Sequence, residues 1–447
     1  MKKQTALSIP HSFNLTYTGE PALDVKNIGA KKTVGIVPAQ FNFIKPKVVV
    51  NIGDTVKRGQ GLLFDKKNPE VYFCAPVSGT IAAIEYGPQR RLDCIQITVG
   101  EDTPISFSKV DVTNVTVSQA KSAILERGLW SGFMELPFQN IPNPQTAPPA
   151  ILVSLSNNEP FRPKISAMMD TVEEDLILGL ECLKALCPNV QCYADANEAV
   201  NLDRINEHAP VVRVSGNNPS LHPASVAYHL KETVEENKAW LCDWTWLVQL
   251  GESLRTKQYS GTQIISLGGK IKNKNQHYVV TQGIALSQLC KLEQPTDRMV
   301  CGGLFTGVHL EKPKYLPLGV NAINVIDSDP PVEFVSFMQA GLNKPSFTRA
   351  YLGGLFNKVR SILPQADVRG SARDCISCGL CEQVCPVNLL PQLILRNTEV
   401  NDVEESMRLG VLDCTECGVC TYVCPSKIEL SSKFSTMKAQ LYKEANA

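Results

Sequence analysis

The sequence contains the same cysteine run twice: CISCGLCEQVCP at residues 375–386 and CTECGVCTYVCP at residues 414–425. Both runs have the spacing C-x-x-C-x-x-C-x-x-x-C-P. The two-residue spacers need a tight backbone loop that turns three thiolates inward. The proline after the fourth cysteine cannot continue a helix, because it has no N–H and its φ is fixed. The pattern therefore predicts two closely related thiolate loops in one domain.

This spacing resembles the bacterial ferredoxin run, in which three cysteines bind one [4Fe–4S] cluster and the fourth binds the other cluster. The resemblance implies two crossed ligand sets. The first set is Cys375, Cys378, Cys381 and Cys424, and the second is Cys414, Cys417, Cys420 and Cys385. A zinc ribbon needs only paired C-x-x-C hooks with tetrahedral ligation. The repeated four-cysteine run therefore favours two [4Fe–4S] clusters and electron transfer.

Length and charge narrow the class of protein. The chain has 447 residues, which is long for one core and predicts two to four domains. It has 44 Lys and Arg residues against 44 Asp and Glu residues, so it lacks the basic excess expected of a nucleic-acid binder. No apolar run approaches the roughly 20 residues of a membrane helix, and no secretory signal opens the chain. We expect a peripheral protein without a transmembrane segment.

Eight further cysteines lie outside the two runs and show no hook spacing. Isolated cysteines in apolar surroundings usually behave as buried small hydrophobic residues. Free thiols and oxygen-sensitive clusters both indicate a reducing compartment, which favours the bacterial cytoplasm. The eight cysteines outside the two runs are Cys74, Cys94, Cys182, Cys187, Cys192, Cys242, Cys290 and Cys301.

The chain before the cysteine runs predicts a multidomain α/β protein. Residues 1–110 contain short strands and glycine turns, and resemble a biotinyl/lipoyl-type barrel-sandwich hybrid. Lys66 and Lys67 lie where a carrier domain presents its modifiable lysine, but the Met-Lys-Met context is missing, so a solvated charged turn is expected. Residues 111–258 alternate strand and helix patterns, which predicts a Rossmann-like α/β domain with a mainly parallel sheet.

The remaining residues complete the predicted architecture. Residues 259–330 return to short strands and fit a small β-grasp (SLBB-like) module. Residues 331–447 predict an α-helical ferredoxin domain, with helices near 332–340, 351–362, 389–396, 403–409 and 432–444. The long spacer between the two cysteine runs favours this helical type over a compact β-type ferredoxin.

Two segments of the chain resemble known protein families. The segment 374–426, with Cys378-Gly379-Leu380-Cys381 and Leu389-Leu390-Pro391-Gln392, resembles the C-subunit of Rnf electron-transport complexes. The front of the chain, with VKRGQ at 56–60, DKKNP at 65–69 and ELPFQNIP at 135–142, resembles NqrA, the A-subunit of sodium-pumping NADH:quinone reductases. The two families are related, and together the resemblances cover nearly the whole chain.

The chain departs from both families. Rnf C-subunits carry a glycine-rich loop, GLxGxGGAGFPT, that holds a flavin or dinucleotide phosphate through backbone N–H groups. The equivalent stretch here, GLWSGFME at 128–135, has lost most of those glycines, which argues against FMN or NADH binding by this chain. Known NqrA proteins have a degraded ferredoxin tail, whereas all eight cluster cysteines are present here.

The Nqr resemblance implies a peripheral electron-transfer subunit of a membrane-bound, Na⁺-translocating NADH:quinone reductase, on the cytoplasmic side of the bacterial inner membrane. Its implied partners are membrane subunits and a flavin-carrying, NADH-oxidising subunit. The resemblance leaves open whether quinone binds this chain and whether the isolated chain is active. The alternative is an RnfC-type subunit of a ferredoxin:NAD⁺ oxidoreductase.

Other residue groups predict structural roles. His222 and His229 are too far apart on a helix to share a metal ion. Trp240, Trp244 and Trp246 favour core packing over contact with a quinone ring. The pairs Gly268-Gly269 and Gly302-Gly303 are typical of turns. Catalytic residues stay unknown.

Overall fold

The computed structural model describes the chain except residues 3, 12–16, 39, 113, 234–235, 272–274, 293, 296, 310–313, 328–371 and 447. The helices predicted near 332–340 and 351–362 lie outside the described residues. The described part forms a multidomain α/β protein with a helical C-terminal domain that carries the cysteine runs.

The first hundred residues are built from short strands, as their glycine turns and alternating apolar residues predict. Strands β3, β9, β8 and β5 form one sheet, and β4, β6 and β7 form another. The two sheets enclose buried aliphatic side chains such as Leu62, Ile81 and Ile97. The strand bounds are β1 Ala6–Ser8, β2 Ala22–Ile28, β3 Thr33–Ile36, β4 Pro46–Val48, β5 Thr55–Val56, β6 Gly61–Asp65, β7 Asn68–Cys74, β8 Gly79–Tyr86 and β9 Leu92–Val99.

The second region is an α/β domain, as the alternating pattern predicts. Its elements are α1 Val117–Glu126, β10 Met134–Glu135, β11 Ile151–Ser154, α2 Met169–Leu186, β12 Val190–Asp195, α3 Asp203–His208, β13 Val211–Ser215, α4 Pro223–Leu230, β14 Trp240–Asp243 and α5 Trp244–Thr256. The described strands are ordered β1-β13-β12-β11-β14-β10, and all pair in parallel except β10. Their runs of buried Val, Leu and Ile fit a sheet covered on both faces. The winding direction reverses at β11, so the crevice beyond the carboxyl ends of β11 and β14 is where such sheets bind ligands.

The third region is a mixed sheet. Its elements are β15 Thr262–Gly269, β16 Gln276–Thr281, α6 Leu286–Leu289, β17 Asp297–Cys301, β18 Val308–His309 and β19 Ala322–Asp327. The described strands are ordered β18-β17-β19-β15-β16-β2. Assignment of this sheet to the β-grasp type stays a prediction.

The first 28 residues differ from the domain division expected from the sequence. Strand β1 pairs in parallel with β13 of the α/β sheet, and β2 pairs in parallel with β16 of the mixed sheet. Both strands therefore extend sheets outside the barrel-sandwich module. A short edge strand carries no signal for its pairing partner, because that partner lies more than 200 residues away in the sequence.

The C-terminal domain is helical, as predicted. Its described helices are α7 Leu380–Gln383, α8 Pro391–Glu399, α9 Val403–Arg408, α10 Val419–Tyr422 and α11 Leu430–Ala445. Its small core joins Val387, Ile394, Phe434 and Leu441 to the cysteines themselves. A core of this size is limited, so bound clusters would contribute strongly to the stability of the domain.

The last helix also contacts the N-terminal module. The ring of Tyr442 stacks on Phe43 with centroids 4.0 Å apart, and Phe138 meets it edge-on at 5.3 Å. Lys67 Nζ lies 4.5 Å from the centroid of the Tyr442 ring and 3.3 Å from its hydroxyl. Lys67 lies in the β6–β7 turn and is exposed, as expected, but it contacts α11 through this cation–π interaction.

Candidate iron–sulfur site

The two cysteine runs fold alike. At three equivalent positions in each run the backbone has a positive φ: Ser377 and Glu416, Gly379 and Gly418, and Asn388 and Lys427. A short helix, α7 or α10, starts directly after each of the two glycines. Helices α8 and α11 also start at equivalent offsets after the runs. The repeat in sequence is therefore a repeat in conformation.

The first predicted ligand set lines one cavity. Its walls include Cys375, Cys378 and Cys381 from the first run and Cys424 from the second. Burial raises the pKa of the Cys381 thiol, and the nearby Cys378 and Cys375 add to that rise. The crossed fourth cysteine thus faces the same space as the other three.

The second predicted set is also brought together. Burial raises the pKa of Cys420 far above its ordinary value, and the neighbouring sulfurs of Cys417, Cys414, Cys385 and Cys381 raise it further. Burial likewise raises the pKa of Cys385 to about 11 and that of Cys414 to about 12. Cys385, from the first run, therefore lies near Cys417 and Cys420 of the second run, and Cys381 also lies near Cys420.

The chemistry of these donors fits iron–sulfur clusters. Buried thiols ionise at a cost unless a metal compensates the thiolate charge. Backbone N–H groups already point at sulfur: Ser377 N donates to Cys375 Sγ and Leu389 N to Cys385 Sγ, each at 3.4 Å. Such bonds support cluster sulfurs and tune their potentials. Among the described residues, no three His, Cys, Asp or Glu side chains are grouped to hold a single metal ion.

A buried ion pair of the α/β domain binds a loop of the mixed sheet, and that loop also contacts the cluster domain. Glu159, just beyond β11, pairs with Arg162 at 2.9 Å and accepts hydrogen bonds from Phe305 N at 2.8 Å and Thr306 N at 2.9 Å. The same loop packs on the second cysteine run, because a Cβ at Gly418 would lie 2.8 Å from the Phe305 carbonyl oxygen. One loop of the mixed sheet therefore contacts both domains, at the crevice of the parallel sheet.

Glycines in this loop allow the close approach. A Cβ at Gly303 would lie 1.8 Å from a carboxylate oxygen of Glu159, and Gly302 has a φ of 106°. Gly302-Gly303 starts a turn, as predicted, and this turn brings backbone N–H groups to a buried carboxylate. The turn predicted at Gly268-Gly269 is wrong, because both glycines end strand β15 and pair with β19. Burial alone would raise the pKa of Glu159, but the Arg162 guanidinium and the N–H groups of Thr306 and Phe305 outweigh it and lower that pKa.

We expect Glu159→Gln to destabilise the folded protein at pH 7 by about 2 kcal/mol, the scale of hydrogen bonds to a charged group. The folded pKa of Glu159 lies below its ordinary 4.5, so its stabilisation is full above that pH and is lost as the pH falls further. Thermal unfolding of the two proteins at pH 7 and at successively lower pH measures the difference. Glu20→Gln is the matched control, because Glu20 pairs with Lys164 at the surface and should contribute little. Equal effects of both variants would contradict a role for the buried pair.

The degraded glycine loop at 128–135 is filled by aromatic side chains. Trp130 is buried and its Nε1 donates to the Pro142 carbonyl at 2.9 Å, while Trp246 Nε1 donates to the Leu129 carbonyl at 2.9 Å. Phe133 packs against Trp246 with ring centroids 4.7 Å apart. Side chains therefore occupy the space that close phosphate approach to this loop would need.

The tryptophans, histidines and other cysteines considered in the sequence analysis pack against protein groups. Trp240, Trp244 and Trp246 are all buried, as the core-packing prediction required. His222 precedes α4 and His229 lies within it, where its Nε2 contacts the Pro386 carbonyl oxygen at 2.7 Å. The eight cysteines outside the runs are all buried, which confirms the prediction for them.

Sequence reasoning did not identify Glu159, Arg162, Glu416 or Lys438. Lys438 is buried in α11, and its Nζ lies 2.7 Å from Glu416 Oε1 and 2.8 Å from the Cys414 carbonyl oxygen. Glu159, Arg162 and Lys438 belong to no motif, and Glu416 occupies a spacer position of the second cysteine run. Their roles follow from contacts that the folded chain creates, and a charged residue in an amphipathic helix normally predicts a solvated position.

Comparison with known families gives three matches. The NqrA N-terminal barrel-sandwich hybrid domain matches residues 7–100, the NqrA second alpha/beta domain matches residues 115–259, and the 4Fe-4S dicluster domain matches residues 374–428. The first two agree with the barrel-sandwich and α/β regions. The third covers all eight cysteines of the two runs and supports bound iron–sulfur clusters.

Individual relatives resemble nearly the whole chain. The A-subunit of the Na(+)-translocating NADH-quinone reductase of Actinobacillus succinogenes is 28% identical over 420 residues, covering 91% of this chain and 92% of the relative. The proteins of the same name from Actinobacillus pleuropneumoniae (29%) and Haemophilus influenzae (28%) have the same coverage. A solved NAD⁺-reducing [NiFe]-hydrogenase chain is 12% identical over 48% of each chain with a TM-score of 0.34, too weak to establish a shared fold.

Within the part of the chain that the structure describes, no helix has the length and apolar character to cross a bilayer. The relatives named above are subunits of an oxidoreductase complex, the Na⁺-translocating NADH-quinone reductase. The chain is thus similar to NqrA proteins over most of its length, and its C-terminal region matches a 4Fe–4S dicluster domain.

Proposed function

We propose that this chain is the peripheral electron-transfer subunit of a membrane-bound, Na⁺-translocating NADH:quinone reductase of the Nqr type, on the cytoplasmic side of the inner membrane. It relays single electrons through two [4Fe–4S] clusters. Cys375, Cys378, Cys381 and Cys424 hold one cluster, and Cys414, Cys417, Cys420 and Cys385 hold the other. The observation that carries the proposal is the cavity that collects cysteines from both runs in the crossed pattern of a dicluster ferredoxin.

The rest of the chain indicates a relay between subunits. The loop at 128–135 is packed with tryptophan and phenylalanine, so NADH oxidation and flavin binding are assigned to a partner. The names of the relatives support the complex and its membrane partners. They favour the Nqr assignment over the RnfC-type alternative.

A cavity beside the second cluster supports a role near quinone. It has a volume of about 110 Å³, and its walls include Leu136, Pro137, Leu412 and Cys414. Lys231, which pairs with Asp413 at 3.1 Å, lies at the same cavity. Apolar walls that also carry the charged side chains of Lys231, Glu236, Lys238 and Asp413 suit a planar acceptor with polar groups, such as a quinone. The cavity therefore offers such an acceptor a close approach to the cluster on Cys414.

The test begins with the anaerobically purified chain and ends with the assembled complex. We expect iron and sulfide for two [4Fe–4S] clusters, interacting EPR signals after dithionite reduction, and no stoichiometric FMN. In the complex, Cys378→Ala should abolish NADH-to-quinone turnover, because it removes a ligand from one cluster of the relay. Cys192→Ala, which removes a buried thiol outside the two runs, is the control and should keep both the iron and the turnover.

Two outcomes would contradict the proposal. Stoichiometric FMN in the isolated chain would indicate a free-standing flavin oxidoreductase. Normal turnover of the Cys378→Ala complex, with half of the iron lost, would indicate that the clusters only stabilise the fold.

A further inference from the structure

The two cysteine loops have the same backbone but different charges beside them. On the second run, Lys438 of α11 is 2% exposed, and its ammonium donates to the Cys414 carbonyl oxygen at 2.8 Å. It also pairs with Glu416, within the same loop, at 2.7 Å. A buried cation therefore lies directly against the loop that carries three of the four cysteines in the second set.

The first run has no buried counterpart at the equivalent positions, which are all described. Counting along the repeat, Ser377 corresponds to Glu416, and Glu399 of α8 corresponds to Lys438. Glu399 is exposed and pairs with Lys433 at 2.7 Å. Arg396 donates to Ser377 Oγ at 3.0 Å, but it too is exposed, so water and salt screen its charge.

We propose that Lys438 is a tuning residue, which holds the reduction potential of the cluster on Cys414, Cys417, Cys420 and Cys385 above that of the other cluster. This inference rests on the proposed function, since it requires both clusters. Reduction adds one electron to a cluster that four thiolates already make negative. A fixed positive charge in a poorly screened position stabilises that added negative charge. No covalent bond changes, and the electron comes from an external one-electron donor.

The two clusters therefore differ in reduction potential, and the second cluster has the higher one. An electron that reaches this chain resides mainly on the second cluster, beside the α/β domain and the cavity at Cys414. Glu416 opposes the effect of Lys438, because its carboxylate is negative and belongs to the same loop. The two side chains should therefore shift the potential of the same cluster in opposite directions.

The experiment is an EPR-monitored redox titration of the full chain, purified anaerobically with both clusters and with dithionite as the reductant. We expect two potentials in the wild type that favour one cluster at least tenfold, which corresponds to about 59 mV for one electron. Lys438→Gln should lower the upper potential and Glu416→Gln should raise it, while the lower potential stays unchanged. Arg396→Gln is the matched control near the first run, and neither potential should move.

Potential shifts of opposite sign in the two variants distinguish electrostatic tuning of the cluster from a purely structural role of the ion pair. Breaking the pair from either side would disturb the loop in the same way, so shifts of the same direction in Lys438→Gln and Glu416→Gln would overturn the inference. A common potential for both wild-type clusters would also overturn it. If Lys438→Gln loses iron, Lys438→Arg and Glu416→Gln still test the inference. Lys438→Arg keeps the positive charge and should therefore keep the wild-type difference between the two reduction potentials. Wild-type protein without two clusters would instead refute the proposed function.

Discussion

Replacing Cys385 and Cys417 together by alanine is expected to remove half of the bound iron, whereas replacing Cys385 and Cys378 together should remove all of it. The first pair belongs to one proposed ligand set, although its members come from different runs. The second pair lies within one run, but it takes a ligand from each cluster. If each run instead held its own cluster, the two outcomes would be exchanged.

One cavity carries the crossed expectation. Cys424 lines it together with Cys375, Cys378 and Cys381. Cys385 and Cys381, one from each proposed set, both lie near Cys420, so the double variants are needed to assign the second set. Iron and sulfide per chain, with EPR of the reduced protein, measure the result. Cys192→Ala provides the control for loss of a buried thiol without loss of iron.

Gly132→Ala is expected to destabilise the protein by about 3 kcal/mol, the upper part of the range for overpacking a filled site. A Cβ at this position would lie 1.9 Å from Nε1 of Trp246. The indole would have to move, which would break its hydrogen bond to the Leu129 carbonyl and its contact with Phe133. Thermal unfolding of the purified chain measures the loss.

Gly29→Ala is the matched control for that substitution. No atom lies within 4 Å of a Cβ added at Gly29, so its thermal midpoint should equal that of the wild type. A wild-type midpoint for Gly132→Ala would show that the aromatic side chains around Trp246 pack loosely. The loop at 128–135 would then have room for a ligand after all.

Local patterns predicted most of the fold. The helices predicted near 403–409 and 432–444 lie within two residues of the observed Val403–Arg408 and Leu430–Ala445. Helix α8, predicted near 389–396, starts and ends a few residues later, at Pro391 and Glu399, because Pro391 is favoured in the first turn of a helix. The pairings of β1 and β2 could not be predicted, since edge strands take their partners from the folded surface.

The cysteines of the candidate site could be predicted, because they belong to a sequence motif. The spacing of the cysteines specifies a loop, and the resemblance to ferredoxins implies which sulfurs share a cluster. Glu159 and Lys438 carry no such pattern. Each is buried because a segment distant in sequence supplies its hydrogen bonds, and the free energy of burying a charge depends on those partners rather than on neighbouring residues.

The contacts of Tyr442 have a consequence for the proposed electron relay. Its ring stacks on Phe43 and lies under the ammonium of Lys67, so the last helix is held against the N-terminal module. A carrier domain delivers its cargo by swinging a lysine-borne arm between stations. Here the corresponding turn contacts the domain that carries the cysteine runs. In the proposed relay, this lysine packs against a helix instead of carrying cargo, and delivery depends on which surfaces the neighbouring proteins reach.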